Sequence, residues 1–448
     1  MQTLQIHPNL THLQTSDGKS FFWLGDTAWE MFRRLTRADI SHYLQTRARQ
    51  GFNVIQAVVL AEMDGLTRPN RLGQLPFLSI ETLEPNLAYF DLIDEVLAEA
   101  ESLGLYVALV PCWGDKLTPD WGAGPVIFTA DDLKRPETFG RFLGQRYASQ
   151  RNLIWVLGGD RPAIYDDPVN KISLADPKPG CTDLRPVWRA MAEGIRSGGG
   201  VQIMTFHQNG GPETARALHA ESWHQFTMFQ SGHWQRESPI WDWLEEHARR
   251  TPPKPALDGE PCYEDHGVNP WHDAWIPSEG VFGPLEVRAQ MYRSVFAGGF
   301  GVTYGHHSVW QFADPALYAP LAHPQVARWR DALERPAAQQ VRYLRALMES
   351  VSPDFSEWRP DQALLLNNPS QGGLHARAMR DPGGRQALIY TRGPRLDVVL
   401  ESLGSFVQAR WFDPTTGQHQ SAGTFNGKTQ VVELPAGFED GVLVLSKV

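Results

Sequence analysis

Eight short apolar runs, each followed by a longer amphipathic stretch, constrain this chain more than any other feature. The runs are Phe21–Gly25, Asn53–Val59, Leu105–Pro111, Leu153–Gly158, Val201–Phe206, Phe226–Gln230, Pro255–Asp258 and Phe300–Tyr304. Such alternation signals βα units, in which helices cover a parallel sheet. Eight units are the number that closes a barrel. The expected helix over Thr36–Arg49 opens on a threonine cap, and that over Leu87–Leu103 stops at Gly104, a natural C-cap residue. Pro136–Gln150, Pro186–Ser197, Glu213–Ala220, Pro239–Arg250 and Gly283–Ala297 supply further helices, and Pro324–Met348 reads as the last one of the barrel.

After Ser352-Pro353 the texture changes. Ala387–Tyr390, Asp397–Leu400, Phe406–Phe412, Thr429–Leu434 and Gly441–Leu445 are short runs separated by turns such as Asp413-Pro-Thr-Thr-Gly417. This spacing suggests a small antiparallel β-sandwich. The expected architecture is therefore α/β: a (β/α)8 TIM barrel over residues 1–350, then a β-sandwich over 351–448. No internal repeat or low-complexity tract interrupts it.

Composition narrows the function classes. A chain of 448 residues exceeds one average domain. Lys and Arg total 41 against 51 for Asp and Glu, a net charge of -10 without basic blocks, so nucleic acid and anionic membrane surfaces are not expected partners. Three irregularly spaced cysteines, Cys112, Cys181 and Cys262, fit a reducing compartment better than a disulfide framework. The opening Met-Gln-Thr-Leu-Gln-Ile-His-Pro lacks the basic and apolar regions of a secretory leader. No apolar run reaches the ~18 residues of a membrane span. The expectation is a cytoplasmic protein, which a previously removed leader would overturn. Part of the 16 tryptophans is expected in core packing, and an excess at loop starts would also suit sugar binding, because flat rings cover the apolar faces of sugars.

Two runs end on acids. One reads Asn152-Leu-Ile-Trp-Val-Leu-Gly-Gly-Asp160-Arg-Pro; the other reads Lys254-Pro-Ala-Leu-Asp258-Gly-Glu260-Pro. They follow the fourth and seventh expected strands. Residues just past the strand ends build the active face of a barrel, and two acids there are the parts that cleave a glycosidic bond. Retaining barrel glycosidases often carry the acid/base after strand four and the nucleophile after strand seven, with the carboxyls ~5–5.5 Å apart. Each acid also has an ordinary reading as a helix cap or surface ion pair. Asp258 and Glu264 compete with Glu260 for the nucleophile role.

Further polar and aromatic residues follow the other strands. Asp26 and Trp29 follow the first, Trp113 and Asp115 the third, His207 and Gln208 the fifth, Gln230 and His233 the sixth, and Tyr304, His306, His307 and Trp310 the eighth. A bound sugar needs several such hydrogen-bonding groups and an aromatic platform. Each also has a plain reading as a satisfied loop or core residue, and Asp26 could cap the next helix. Glu62, Asp64 and the long loop to Phe77, with Trp121 and the Gly122–Pro125 turn, are candidates to shape the leaving-group side. Adjacent His306 and His307 would point to opposite faces of a strand, and no metal-ligand spacing occurs elsewhere, so no metal or other cofactor is expected. No Gly-x-Ser-x-Gly, P-loop or dinucleotide fingerprint is present.

Several segments carry a specific resemblance. Phe22-Trp-Leu-Gly-Asp26-Thr-Ala-Trp29, Gly51-Phe-Asn-Val-Ile-Gln56, Trp155-Val-Leu-Gly-Gly-Asp160 and Asp258-Gly-Glu260-Pro look like glycoside hydrolase family 140, the apiosidase-like barrels. The region around Trp411-Phe-Asp-Pro-Thr-Thr-Gly417 resembles the β-sandwich, named for collagen binding, that commonly follows that barrel. The resemblance covers nearly the whole chain. It implies release of β-D-apiose from apiosides, including side chains of the pectin rhamnogalacturonan II, with Asp160 as acid/base and Glu260 as nucleophile. Many barrel glycosidases carry Asn-Glu after strand four where this chain has Gly159-Asp160. The shorter aspartate demands a closer backbone, which the glycines permit. The alternatives are the same chemistry on a β-xyloside, arabinofuranoside or glucoside, and a non-catalytic carbohydrate-binding barrel.

Overall fold

Short apolar strands with no exposed edge must be paired on both sides, and here they are paired by closure. The computed structural model describes residues 1–118, 124–166, 172–268, 277–318, 327–352, 354–404 and 406–448. The barrel strands are β1 (Trp23–Thr27), β2 (Val54–Leu60), β3 (Tyr106–Cys112), β4 (Leu153–Gly158), β5 (Met204–His207), β6 (Thr227–Phe229), β7 (Ala256–Asp258) and β8 (Gly301–Tyr304). Each pairs in parallel with its neighbours, and β8 closes onto β1. Every one of the eight expected runs is a barrel strand, with bounds shifted by up to three residues.

Alternation along each strand divides the core in two. Trp23, Val54, Val58, Ala108, Val110, Ile154 and Val156 fill the interior, while Ile55, Ala57, Val59, Leu109, Trp155 and Leu157 face the helices. The helix over Arg37–Arg49 opens on Thr36, whose side chain accepts from Asp39 N while Asp39 reaches back, a capping box. A small N-terminal sheet of Leu4–Ile6, Leu13–Thr15 and Ser20–Phe21, not expected from the sequence, packs Leu4, Leu13 and Phe21 against the bottom of the barrel interior.

One helix expectation is corrected. In place of a continuous Pro324–Met348 helix, the described residues form Trp329–Ala332, Pro336–Gln340 and Arg342–Ser350. Pro336 lacks an N–H and cannot continue a preceding helix, so a new one starts on it. The start of that expected helix, within 319–326, lies outside the described residues, as do Trp121 and Gly122. Among the described residues no helix is long and apolar enough to cross a membrane.

The C-terminal region folds into two antiparallel sheets of six and three strands. In the strand Gln386–Thr391, Ala387 and Ile389 face the core between the sheets, while Leu388 and Tyr390 face the barrel. The central strands Gln386–Thr391 and Gly441–Lys447 are thus buried on both faces, while the edge strand His419–Asn426 is mostly exposed. Arg288 of the helix Pro284–Phe296 spans the junction, 2.8 Å from Asp440, with both side chains at most 1% exposed.

Candidate active site

The last residue of β4 and the two that follow have positive φ: Gly158 at 92°, Gly159 at 121° and Asp160 at 54°. Aspartate tolerates this region better than most residues. The two glycines are required by crowding. A Cβ on Gly158 would lie 2.3 Å from His207 O, and one on Gly159 would lie 2.8 Å from Gly114 N. Hydrogen bonds from Gly159 N to His207 O and from Gly114 N to Gly159 O, each 3.0 Å, clamp the turn between its neighbours. Arg161 continues the clamp by donating to Asp160 O at 2.9 Å and to Thr118 Oγ1 at 3.1 Å.

Glu260 follows β7 and faces two imidazoles. Asp160 N donates to His207 Nδ1 at 3.3 Å, and Tyr263 N donates to His233 Nδ1 at 3.3 Å. Both Nδ1 atoms are therefore acceptors, which places the proton of each ring on Nε2. His233 Nε2 lies 3.2 Å from Glu260 Oε1. His207 Nε2 lies 2.8 Å from Oε2, within ion-pair distance but off the line of a regular hydrogen bond. One carboxylate thus meets an Nε2–H at each oxygen.

These contacts separate the two acids. Burial raises the Asp160 carboxyl, and the charge of Glu260 adds to it, to about 7. Arg161, His207 and Gln230 only partly offset this. Burial also opposes ionisation of Glu260, but the His207 and His233 contacts outweigh it and hold this carboxyl below the usual range. One acid therefore keeps its proton near neutrality while the other stays ionised. That division is what acid catalysis paired with nucleophilic attack requires.

Aromatic rings wall this pair. Trp29 lies 5.0 Å from both Trp113 and His207, and Trp113 lies 5.5 Å from His207. Trp113 Nε1, Trp310 Nε1 and Gln230 Oε1 are buried without hydrogen-bond partners. Trp310 packs against the same interior core, and its carbonyl accepts from Glu30 N at 3.2 Å. Of the residues expected to bind sugar, Trp29, Trp113, His207, Gln230 and His233 converge around Asp160 and Glu260.

Four others have different partners. Asp26 binds Arg47 Nε at 2.6 Å, with both side chains fully buried. Tyr304 donates to Glu264 Oε2 at 2.7 Å. His306 contacts Asp265 at 3.1 Å and accepts from Ser308 N. Gln208 donates into its own loop, to Gly211 O at 2.7 Å. The reason for the first two is alternation. Asp26 and Tyr304 are register partners. They share the outward face with Leu24 and Val302, while Trp23 and Thr303, joined by a 3.0 Å hydrogen bond, face inward. The contacts of Asp26, Tyr304 and His306 correct the expectation that they line the cleft; they tie strands to helices and loops.

The rival acids are likewise engaged. Asp258 accepts from Ser231 Oγ at 2.6 Å and from Ser231 N at 3.2 Å. Glu264 accepts from Tyr304 and from Ala337 N. Asp115 is paired with Lys116 at 2.7 Å.

Two neighbours of the pair escaped the sequence reading. The Tyr263 ring centre lies 4.4 Å from that of His233, and its hydroxyl lies near Glu260, Thr27 and Trp29. His266 stacks on His233 at 4.1 Å. Both occupy the loop that carries Glu260, and that proximity was the available signal.

Comparison with known proteins agrees with this geometry. Residues 7–353 match the family described as apiosidase-like, catalytic domain, and residues 359–446 match a family named for a collagen-binding domain of a collagenase. A crystal structure of a glycoside hydrolase family 5 protein from Bacteroides vulgatus ATCC 8482 is 30% identical over 99% of this chain and 93% of that one, with a TM-score of 0.84. A second structure, described as a glycoside hydrolase, is 27% identical over 100% of this chain and 97% of the other, with a TM-score of 0.83. An endo-β-1,4-mannanase from Thermotoga petrophila shares the fold alone, at 14% identity, 96% and 92% coverage and a TM-score of 0.51. Comparison with curated proteins returned no match. The chain belongs to the apiosidase-like catalytic-domain family and is a TIM-barrel glycoside hydrolase.

Proposed function

We propose that this enzyme releases terminal β-D-apiose from apiosides with retention of configuration, as the barrels of glycoside hydrolase family 140 do. The reading is carried by the unequal protonation of the half-buried acid after β4 and the buried acid after β7. Asp160 gives its proton to the glycosidic oxygen as Glu260 attacks the anomeric carbon. The carbon–oxygen bond breaks, the alcohol departs, and a glycosyl ester on Glu260 remains. Asp160, now ionised, takes a proton from water, whose oxygen attacks the same carbon and displaces Glu260. His207 and His233 hold the Glu260 carboxylate in place and ionised for that attack. Apiose as the sugar is supported by membership of the apiosidase-like family. Trp29 and Trp113 supply the apolar wall that a furanose face would meet.

The test is free apiose released from apiin by wild type, Glu260→Ala and Asp160→Ala. The proposal expects release by wild type and its loss in both variants. No release by wild type removes apiose as the substrate, and a panel of xylosides, arabinofuranosides and glucosides then asks whether the same chemistry serves another sugar.

A further inference from the structure

The cleft contains a third acid that the two-carboxylate chemistry does not use. Glu62 follows β2 by two residues and is 5% exposed. No described residue makes a hydrogen bond or ion pair with its carboxyl. The other buried acids nearby are all engaged. Asp26 has Arg47, Asp115 has Lys116, Asp258 has Ser231, Glu264 has Tyr304, and Glu30 has Arg34 at 3.8 Å.

The charged groups that face Glu62 are Glu30, Arg161, Asp115 and Asp160. Three of these four are acids, and Arg161 already donates to Asp160 O and Thr118. Burial first, then Glu30, Asp115 and Asp160, push the Glu62 carboxyl well above the usual range against the pull of Arg161. A buried carboxyl without partners among like charges destabilises the empty protein. Such a group persists where a ligand supplies the missing donors. A carboxylate takes two O–H donors side by side, and adjacent sugar hydroxyls present that pair. The Leu60 carbonyl at the end of β2 accepts from Trp113 N at 3.1 Å, which sets the Glu62 segment beside one of the tryptophans that wall the acid pair.

We propose that Glu62 is a specificity-determining residue that accepts hydrogen bonds from neighbouring hydroxyls of the glycone. The inference rests on the glycosidase reading above. It differs from the sequence-based expectation that the segment after β2 shapes the leaving-group side, and the two substrates below decide between them.

The test compares wild type, Glu62→Gln and Glu62→Ala on 4-nitrophenyl β-D-apioside and on apiin, with thermal denaturation of each variant at pH 7. If a panel shows wild type acting on another sugar, the matching aryl glycoside and disaccharide take their place. KM is expected to rise about ten- to a hundredfold on both substrates, the cost of leaving sugar hydroxyls without their buried acceptor, with kcat within about threefold. The Tm of Glu62→Gln is expected to equal or exceed that of wild type, because an unpartnered carboxyl is gone. Unchanged KM on both substrates overturns the inference and leaves the proposed function standing. A KM effect confined to apiin puts Glu62 against the leaving group and also overturns it. So does a lowered Tm with kcat falling in step, the signature of a structural acid. Failure of wild type on the whole panel overturns the proposed function and this inference together.

Discussion

At the C-terminal end of the barrel, His207 and His233 turn Nε2–H toward one carboxylate. At the N-terminal end, His219 and His247 turn a ring nitrogen toward the backbone carbonyls of Pro252 and Lys254, and their rings lie 5.5 Å apart. His219 lines a cavity of about 360 Å3 with His224 and Lys254, and His247 lines a neighbouring one of about 100 Å3 that Lys254 also borders. Burial holds His224 well below the ordinary histidine value, with Lys254 adding to the effect, and lowers His247 to about 4. Residue type is shared, and surroundings decide the role. Imidazoles that meet a carboxylate keep a charge in place, while imidazoles that meet carbonyls and a lysine stay neutral and hold loops. Barrels divide labour between their two faces in this way.

Several experiments can break or sharpen that contrast. The largest effect belongs to Glu260. Replacing it by alanine should lower kcat/KM on the order of 10^4-fold or more, since a missing nucleophile cannot be supplied by water alone. His247→Gln, at the opposite end, should leave the steady-state constants unchanged. Equal losses in the two variants would erase the distinction.

Asp160→Ala should cost about 10²- to 10⁴-fold, the usual weight of a general acid. In wild type, activity should decline as pH rises through about 7, where Asp160 ionises. That limb should vanish from the pH profile of the variant.

His207→Ala and His233→Ala should each lower kcat about ten- to a hundredfold, the loss of one charge-assisted hydrogen bond. Either change lets the Glu260 pKa rise, so the acid limb of the pH–rate profile should move to higher pH. An unmoved limb would mean that these rings do not hold the charge of Glu260.

Asp26→Ala should destabilise by about 3–5 kcal/mol, because Arg47 is left buried and unpaired. The kcat of the folded protein should stay within about twofold. Chemical denaturation with parallel kinetics measures both, and a kcat collapse without lost stability would return Asp26 to the cleft.

The smallest effect is acid sensitivity. The folded protein keeps His224 and His247 neutral, whereas the unfolded chain protonates them near 6.5. The unfolded state then binds more protons, so stability is full above about 6.5 and falls as pH drops toward about 4. His247→Gln should flatten that part of the Tm-against-pH curve.

The contrast also shows what the sequence could reveal. Apolar runs and their spacing made the barrel strands and the ends carrying Asp160 and Glu260 legible, because burial imposes those patterns locally. The Thr36 cap was legible for the same reason. The inward or outward sense of a strand residue was not. Asp26 is one residue from Thr27, and a register two residues off the expected Phe21–Gly25 moves the side chain from loop to strand. Tyr263 and His266 were missed because their contacts with His233 depend on how a loop folds back, which no periodicity records. The unpartnered state of Glu62 is likewise a property of three dimensions.

The central claim is that Glu260 is the ionised nucleophile of a double displacement. The most direct measurement is mass spectrometry of the protein after incubation with a 2-deoxy-2-fluoro apioside bearing a good leaving group, which slows release of the ester. The account predicts one added sugar on the peptide containing Glu260, absent in Glu260→Ala. A sugar on Asp258 or Glu264, or no adduct together with product of inverted configuration, would contradict it.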